Sequence, residues 1–352
     1  MYVIFPKTRI IKGIMLQEVI KVDRVYIVTG ACGHLASTII KYLRKKDGTI
    51  RGLILPTETA QSDEKVRYYT GDVTKPETLG ALFENLGGRE AVVFHAAGLI
   101  SISEKASKAL ESVNVGGTRN IIEMCEKYKV KRLVYTSSVH AIPESEDGAA
   151  IEETAVFDMA AVRGDYAKTK AEATREVLMS GKRGLDVVVV HPSGIIGPYD
   201  SGGNHVVQMV KMYIAGKLPA GVRGGFDFVD VRDVALGCIA AAEKGRSGEC
   251  YILSNRYCTI RELLGMMRRC TNGRRKLCLP LPLAKMFCPL FGWVAKVTKT
   301  RPLFTPYSLF TLESNSRFTH DKATMELGYH PRDMLRTVKD TIAWLSGKPV
   351  PI

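Results

Sequence analysis

A run of β-forming residues, Arg24–Thr29 (RVYIVT), passes directly into Gly30-Ala31-Cys32-Gly33-His34-Leu35-Ala36, and a helical repeat begins at once afterwards. Few local patterns restrict a fold so tightly. A strand, a glycine-rich turn and a helix, in that order, open a parallel α/β sheet. Gly30 permits the tight turn, and Gly33 lets backbone amides approach a ligand with no Cβ in the way. Ala36 stands where a third small residue lets the helix pack on its strand. The amides of Cys32, His34 and Leu35 then sit at the positive end of the helix dipole, a place suited to a pyrophosphate. Cys32 itself reads as a space-filling residue, since nothing marks a base beside it. The spacing is G-x-x-G-x-x-A, not the commoner G-x-G-x-x-G, so the assignment needs support from the rest of the chain.

That support is present. β-rich runs recur at Ile50–Leu55, Lys65–Tyr69, Ala91–His95, Arg132–Thr136 and Asp186–His191, with helical patterns at Leu35–Arg44, Ser103–Tyr128 and Tyr166–Met179 between them. Continuous apolar strands such as Val187-Val188-Val189-Val190 suit a sheet covered on both faces. The alternation predicts an α/β fold, a Rossmann doubly wound parallel sheet with right-handed crossovers. Cys250–Leu253 reads as a later strand of the same sheet. The expected organisation is an N-terminal arm (1–22), a dinucleotide-binding domain (23–195 plus 230–255) and a smaller, discontinuous substrate lobe (196–229 plus 256–352). Asp233 reads as the cap of a helix over Val234–Ala242.

Composition excludes several classes. The chain has 352 residues, 45% hydrophobic and 24% charged, which is globular and long enough for a core fold with a second lobe. Eight cysteines without a C-x-x-C pair or a Cys/His cluster make neither a disulfide scaffold nor a metal site, so reduced thiols and a cytoplasmic setting are expected. Lys7, Arg9 and Lys12 interrupt any secretory h-region, and Met15 is an alternative start that would make 1–14 dispensable. The most apolar stretch, Leu277 to Ala295, contains Pro280, Pro282, Lys285 and Pro289 and is unsuited to span a bilayer. The net charge of +14 is uneven: residues 255–352 hold 17 Lys/Arg against 6 Asp/Glu. Three readings of that basic lobe stand open: a solvated face, a surface beside an anionic ligand, or peripheral membrane contact. No nucleic-acid motif accompanies the charge, and nucleic acid is not an expected partner.

Other segments fit a dinucleotide. Gly71-Asp72-Val73 follows the third strand, placing Asp72 and Val73 at the adenine end, with Asp72 able to accept from the adenine amino group. His95 ends the fourth strand as a packed residue, and Ala96, Ala97 and Gly98 leave room for the coenzyme's middle. The second strand ends Ile54-Leu55-Pro56-Thr57-Glu58, where Glu58 can reach ribose hydroxyls and Lys65 a 2′-phosphate. No Arg follows that strand directly, so NAD(H) is favoured, with NADP(H) left open.

The chemistry is expected at Tyr166-Ala167-Lys168-Thr169-Lys170. Tyr166 and Lys170 are four apart and share a helix face. A phenol with an ordinary pKa of about 10 is a poor acid–base group at neutral pH, and a neighbouring ammonium lowers it. Such a pair exchanges a proton with an alcohol or carbonyl oxygen while hydride moves to or from nicotinamide. Thr136-Ser137-Ser138 ends the fifth strand, where a hydroxyl can hold the substrate oxygen beside the tyrosine and Thr136 meets the coenzyme.

These pieces carry a resemblance. Together with Asn114-Val115-Gly116-Gly117-Thr118, Val134-Tyr135-Thr136-Ser137-Ser138 and His191-Pro192-Ser193-Gly194-Ile195-Ile196-Gly197-Pro198, over about residues 23–345, the chain resembles an extended short-chain dehydrogenase/reductase of the epimerase/dehydratase superfamily. Within it, Gly224–Val234 and Phe318–Tyr329 look like the dihydroflavonol-reductase and 3β-hydroxysteroid-dehydrogenase branch. The resemblance implies Tyr166 as acid/base, Lys170 as its pKa modifier and ribose anchor, and Ser138 as the oxygen-orienting hydroxyl, with Ser137 the lesser choice. It implies that Asn114 supports the active-site strand ends, that Pro192, Gly194 and Ile195 meet the nicotinamide end, and that the protein is a homodimer. Ala36, His34 and His191 depart from the usual glycine, aromatic and arginine. The expected activity is interconversion of a secondary alcohol and a ketone on an apolar ring compound. Leu277, Met286, Phe287, Phe291, Trp293, Phe304 and Phe310 would close over that compound. The alternatives are a nucleotide-sugar epimerase or dehydratase with tightly held NAD, and a non-catalytic coenzyme sensor.

Overall fold

The computed structural model describes residues 23–100, 108–144, 148–201, 203–286, 288 and 305–352, together with a backbone ladder pairing Ile10–Ile11 with Ile14–Met15. The rest of the N-terminal arm, and Phe287, Phe291, Trp293 and Phe304, lie outside the described residues. The strands that shape the molecule are β1 (Arg24–Thr29), β2 (Thr49–Ile54), β3 (Val66–Thr70), β4 (Glu90–His95), β5 (Arg132–Thr136), β6 (Val187–Pro192), β7 (Gly194–Ile196), β8 (Gly225–Asp230), β9 (Cys250–Leu253) and β10 (Arg256–Thr259). The main helices are α1 (His34–Leu43), α2 (Gly117–Lys127), α3 (Asp165–Lys182), α4 (His205–Ile214), α5 (Val231–Lys244), α6 (Ile260–Thr271), α7 (Pro306–Glu313), α8 (Asp321–Leu327) and α9 (Met334–Leu345).

Seven parallel strands form the central sheet in the order β9-β6-β5-β4-β1-β2-β3. The order reverses between β1 and β4, and a crevice opens at the carboxyl ends of those two strands. The run Val187 to Val190 is fully buried because its alternate side chains enter two different cores. Val187 and Val189 pack on one face with residues of α2 and α3, while Val188 and Val190 pack on the other with residues of α1 and α5. This is the two-sided burial that a doubly wound parallel sheet demands.

A small sheet stands beside the large one. β8 pairs in parallel with β7 and antiparallel with β10. β7 follows β6 after one residue, so the small sheet hangs directly from the carboxyl end of the large one. Gly194 makes this junction possible: a Cβ there would lie 2.9 Å from the Asp227 carbonyl oxygen.

The helix read over Val234–Ala242 begins earlier, at Val231, and its cap is Asp230, which accepts the Arg232 N–H at 2.8 Å. Asp233 lies inside the first turn and instead takes the backbone N–H and Nε of Arg332, both at 2.8 Å. Arg232 forks onto Asp230 at 2.9 and 2.7 Å and also meets Asp340 of α9 at 2.8 Å. These buried charges tie β8 and α5 to the C-terminal helix. Removing one member would leave its partner unpaired in the interior, a loss of about 3–5 kcal/mol.

Candidate functional site

The glycine turn lies at the mouth of the crevice. Gly30 has φ +68°, and a Cβ on it would approach the Ala97 Cα to 3.0 Å. The turn and the end of β4 therefore touch backbone to backbone. Gly33 precedes α1, and a Cβ there would lie 3.0 Å from the Gly30 carbonyl oxygen. The chain caps α4, α5, α6 and α9 with side chains of its own, from Asn204, Asp230, Thr259 and Asp333. No side chain caps α1, nor α2, α3 or α8. The first-turn amides of α1, including those of His34 and Leu35, have no intrahelical acceptor and face the crevice, so these residues fit a pyrophosphate. The His34 ring turns away from it, with Nε2 2.8 Å from the Pro198 carbonyl oxygen and Nδ1 3.2 Å from Asn204 Nδ2. Replacing Gly30 by Val is expected to add backbone strain and a clash with Ala97. Dinucleotide affinity, measured by quenching of intrinsic fluorescence, should fall at least about tenfold.

The remaining residues expected at the coenzyme fall into two groups. Ala96, Ala97 and Gly98 end β4 beside the turn, and Gly98 lies where a Cβ would be 3.4 Å from Lys170 Nζ. Asp72 stands past β3 with one carboxylate oxygen taken by the backbone and hydroxyl of Thr74, at 2.9 and 2.8 Å. Val73 is buried against Gly117, and its carbonyl accepts from Asn120 at 2.7 Å. Pro192 ends β6, whereas Gly194 and Ile195 are paired with Phe228 and Val229 in the small sheet. Glu58 holds the Leu55 N–H at 2.8 Å and lies near enough to raise the Cys32 thiol further, after burial. It therefore stands beside the glycine turn. Lys65 does not: it precedes β3, at the amino end of the parallel sheet, and its ammonium bonds the Lys46 carbonyl. The expectation that Lys65 reaches a coenzyme phosphate fails because the crevice is at the opposite end. His95 is a packed strand residue, held between Thr29 at 2.7 Å and Thr118 at 3.1 Å, and burial lowers its pKa to about 3.

Tyr166, Lys170, Ser137 and Ser138 are all buried where α3 crosses the end of β5. Ser137 spends its hydroxyl on Thr174 of α3, at 2.6 Å. Ser138 accepts the His140 N–H at 3.3 Å and lies close enough to the Tyr166 phenol to lower its pKa. Asn114 sits in a π-helical turn over Ser112–Gly116, a local irregularity that turns its side chain inward. Its amide holds the Leu99 backbone through both oxygen and nitrogen, at 2.8 and 3.0 Å, and reaches Thr169 of α3 at 3.1 Å.

The electrostatics differ from the sequence expectation. Burial pushes the Tyr166 phenol up to about 12, offset in part by Ser138. Burial also pulls Lys170 down to about 7. The lysine points at the Thr136 carbonyl, 2.8 Å away, and at the Tyr135 hydroxyl, 3.4 Å away. In the protein alone the ammonium does not acidify the phenol: burial and Ser138 act on Tyr166, and burial acts on Lys170.

A cavity of about 320 Å³ opens beside this group. Its walls include Val139, Ile142, Phe226, Tyr307, Phe310 and Phe318. His140 also lines it, stacked on Phe226 at 5.3 Å with its ring edge-on to Tyr166 at 6.0 Å. Burial lowers His140 to about 4, so the ring is neutral at physiological pH. Arg163 lies at the rim with its guanidinium 4.1 Å over the Phe310 ring. Of these wall residues, sequence reasoning placed only Phe310 near a substrate. His140, Arg163 and Tyr307 were missed, although a histidine two residues past Ser138 was a legible signal. Leu277 and Met286, expected to close over a substrate, are 77% and 64% exposed and do not line the cavity.

Comparison with known proteins agrees with this geometry. Residues 26–254 match the model of the NAD dependent epimerase/dehydratase family. The chain is 30% identical over 332 residues to sterol demethylase protein B of Methylococcus capsulatus, covering 90% of this chain and 97% of that one. It is 29% identical over 299 residues to the decarboxylating sterol-4-alpha-carboxylate 3-dehydrogenase ERG26 of Saccharomyces cerevisiae, covering 80% and 84%. The crystal structure of gox2253 superposes with a TM-score of 0.78 at 29% identity, covering 92% of this chain and 98% of that one.

Proposed function

The chain belongs to the NAD dependent epimerase/dehydratase family, the extended short-chain dehydrogenases/reductases, and on that premise we propose that this NAD(P)-dependent oxidoreductase interconverts a ring-borne secondary alcohol and its ketone, with a sterol-like substrate and NAD(H). The observation that carries the reading is the Ser138–Tyr166–Lys170 group, set between the uncapped α1 turn and an aromatic-walled cavity.

When bound, a nicotinamide coenzyme would supply the hydride acceptor or donor. The amides at Gly33–Leu35 would hold the phosphates, Glu58 the adenosine ribose, and Lys170 the nicotinamide ribose. Gly98 leaves room for the coenzyme's middle. Ser138 orients the substrate oxygen by a hydrogen bond. For ketone reduction Tyr166 Oη gives its proton to that oxygen; for alcohol oxidation it takes the proton back. A phenol held near 12 is already protonated for reduction at neutral pH, whereas oxidation needs it deprotonated. The aromatic walls and neutral His140 favour a flat apolar substrate.

A nucleotide-sugar epimerase would need cations for a diphosphate. Among the described residues lining the cavity, Arg163 is the one permanent cation, and it is stacked on Phe310. The test offers purified protein NADH or NADPH with a panel of 3-ketosteroids, flavanonols and UDP-sugars, following absorbance of the reduced coenzyme and product chromatography. Turnover of a ring ketone with NADH is the expected result, and replacing Glu58 with Gln should weaken NADH use by at least about tenfold. Coenzyme-dependent epimerisation of a UDP-sugar, without ring-ketone turnover, would reject the substrate assignment.

A further inference from the structure

Between Glu262 and Glu313 the sequence contains no Asp or Glu. The described part of that stretch, 268–286, carries Arg268, Arg269, Arg274, Arg275, Lys276 and Lys285. Arg268, Arg269, Arg274 and Arg275 are exposed, and among the described residues none of the four forms an ion pair. Lys285 is paired with Glu313 at 2.6 Å. Charge alone would describe a solvated face. The same stretch, however, also presents large apolar side chains to water: Leu277 is 77% exposed, Met286 64% and Leu283 37%.

Their exposure is imposed by a held backbone. The Leu277 carbonyl accepts the Gly221 N–H at 2.8 Å, and Cys278–Leu279 pairs in parallel with Gly221–Val222. The Arg274 carbonyl accepts the Tyr213 hydroxyl at 3.0 Å. The helical residues 281–286 then divide by face. Ala284 is buried with Val222 and Leu309 in a small cluster that also holds Cys288, while Leu283 and Met286, three apart, face outward. Leu309 belongs to α7, whose Tyr307 and Phe310 line the cavity beside Tyr166.

Exposed cations without carboxylate partners, followed along the chain by exposed Leu and Met, complement one kind of surface. Anionic headgroups meet the arginines, and the acyl boundary behind them takes the apolar side chains. A nucleic acid would use the arginines but leave Leu277 and Met286 in water. We propose that residues 268–286 form a docking surface for an anionic lipid bilayer, backed by the packing of Ala284 against Leu309 of α7. The docking claim does not depend on the reaction assigned above.

The test is co-sedimentation of the full chain with phosphatidylcholine vesicles, with and without roughly a third phosphatidylserine. Binding is expected only where phosphatidylserine is present. Arg274→Glu/Arg275→Glu should weaken that binding by at least about tenfold. Leu277→Asp/Met286→Asp should weaken it comparably while leaving all the arginines in place. Both double variants should retain the wild-type melting temperature and reduced-coenzyme affinity, which separates lost docking from lost folding. A soluble ring ketone should be turned over by them at the wild-type rate; absence of turnover in wild type and variants alike would count against the function and not against docking. The proposal is overturned if the wild type fails to sediment with phosphatidylserine vesicles. It is equally overturned if Leu277→Asp/Met286→Asp binds as well as wild type, or if duplex DNA competes fully at equal charge, since the surface is then a general polyanion site.

Discussion

Tyr166→Phe is expected to lower kcat/KM for the ring ketone by roughly a hundred- to ten-thousand-fold, the span ordinarily supplied by one positioned proton donor. The substitution removes only a hydroxyl. Tyr166 is 8% exposed, and its ring meets His140 edge-on, so the phenylalanine keeps the packing and loses the proton. Ser138 retains the His140 N–H. Coenzyme affinity, read from fluorescence of the reduced nicotinamide, should change by less than about threefold, because the cradle lies on β1 and α1. A folded Tyr166→Phe variant that turns over normally would remove the assigned acid.

Lys170→Met should abolish most turnover and yet stabilise the protein at low pH. Lys170 is buried and its pKa falls from 10.5 to about 7. Between those values the unfolded chain holds a proton that the folded chain has released, so this group's contribution to stability rises with pH. Put the other way, its stabilising share is complete above about 10.5 and is lost as pH falls towards 7, leaving a cost on the order of a few kcal/mol below that. Methionine does not titrate. The melting temperature of the variant relative to wild type should therefore be highest near pH 6 and should decline steadily between pH 7 and pH 10. The lost contacts to the Thr136 carbonyl and the Tyr135 hydroxyl shift the whole curve without changing that slope. A difference flat over this window would mean that Lys170 keeps its proton when folded, and that it can acidify Tyr166 directly.

The sheet was legible because each of its strands carries its own evidence. RVYIVT, VVVV and CYIL lie within a residue of where they were read, and the strand after Gly248 joins the same sheet. The cap of α5 was misread because Asp230 and Asp233 are both plausible caps in V-D-V-R-D, and only the register of β8 against β7 shows that the strand runs on to Asp230. Lys65 was misplaced for a related reason. Nearness in sequence to Glu58 hid the fact that the chain crosses from one end of the sheet to the other between them. The cavity was least legible, since it is assembled from the Val139–Glu144 segment, the residues around Arg163, β8 and α7, which no local pattern connects. The acidity of Tyr166 was misjudged because spacing reveals the lysine but not the desolvation acting on both groups.

The absent cap on α1 has one more consequence. Helices that finish themselves owe their ends to the chain alone, whereas under the proposed function the first turn here would be completed by an anion from outside. The cohesion of that corner of the sheet must then rise with the concentration of free dinucleotide, following mass action. Metabolic supply thus becomes a term in the folding equilibrium, and the protein would be most vulnerable to unfolding when its coenzyme is scarce.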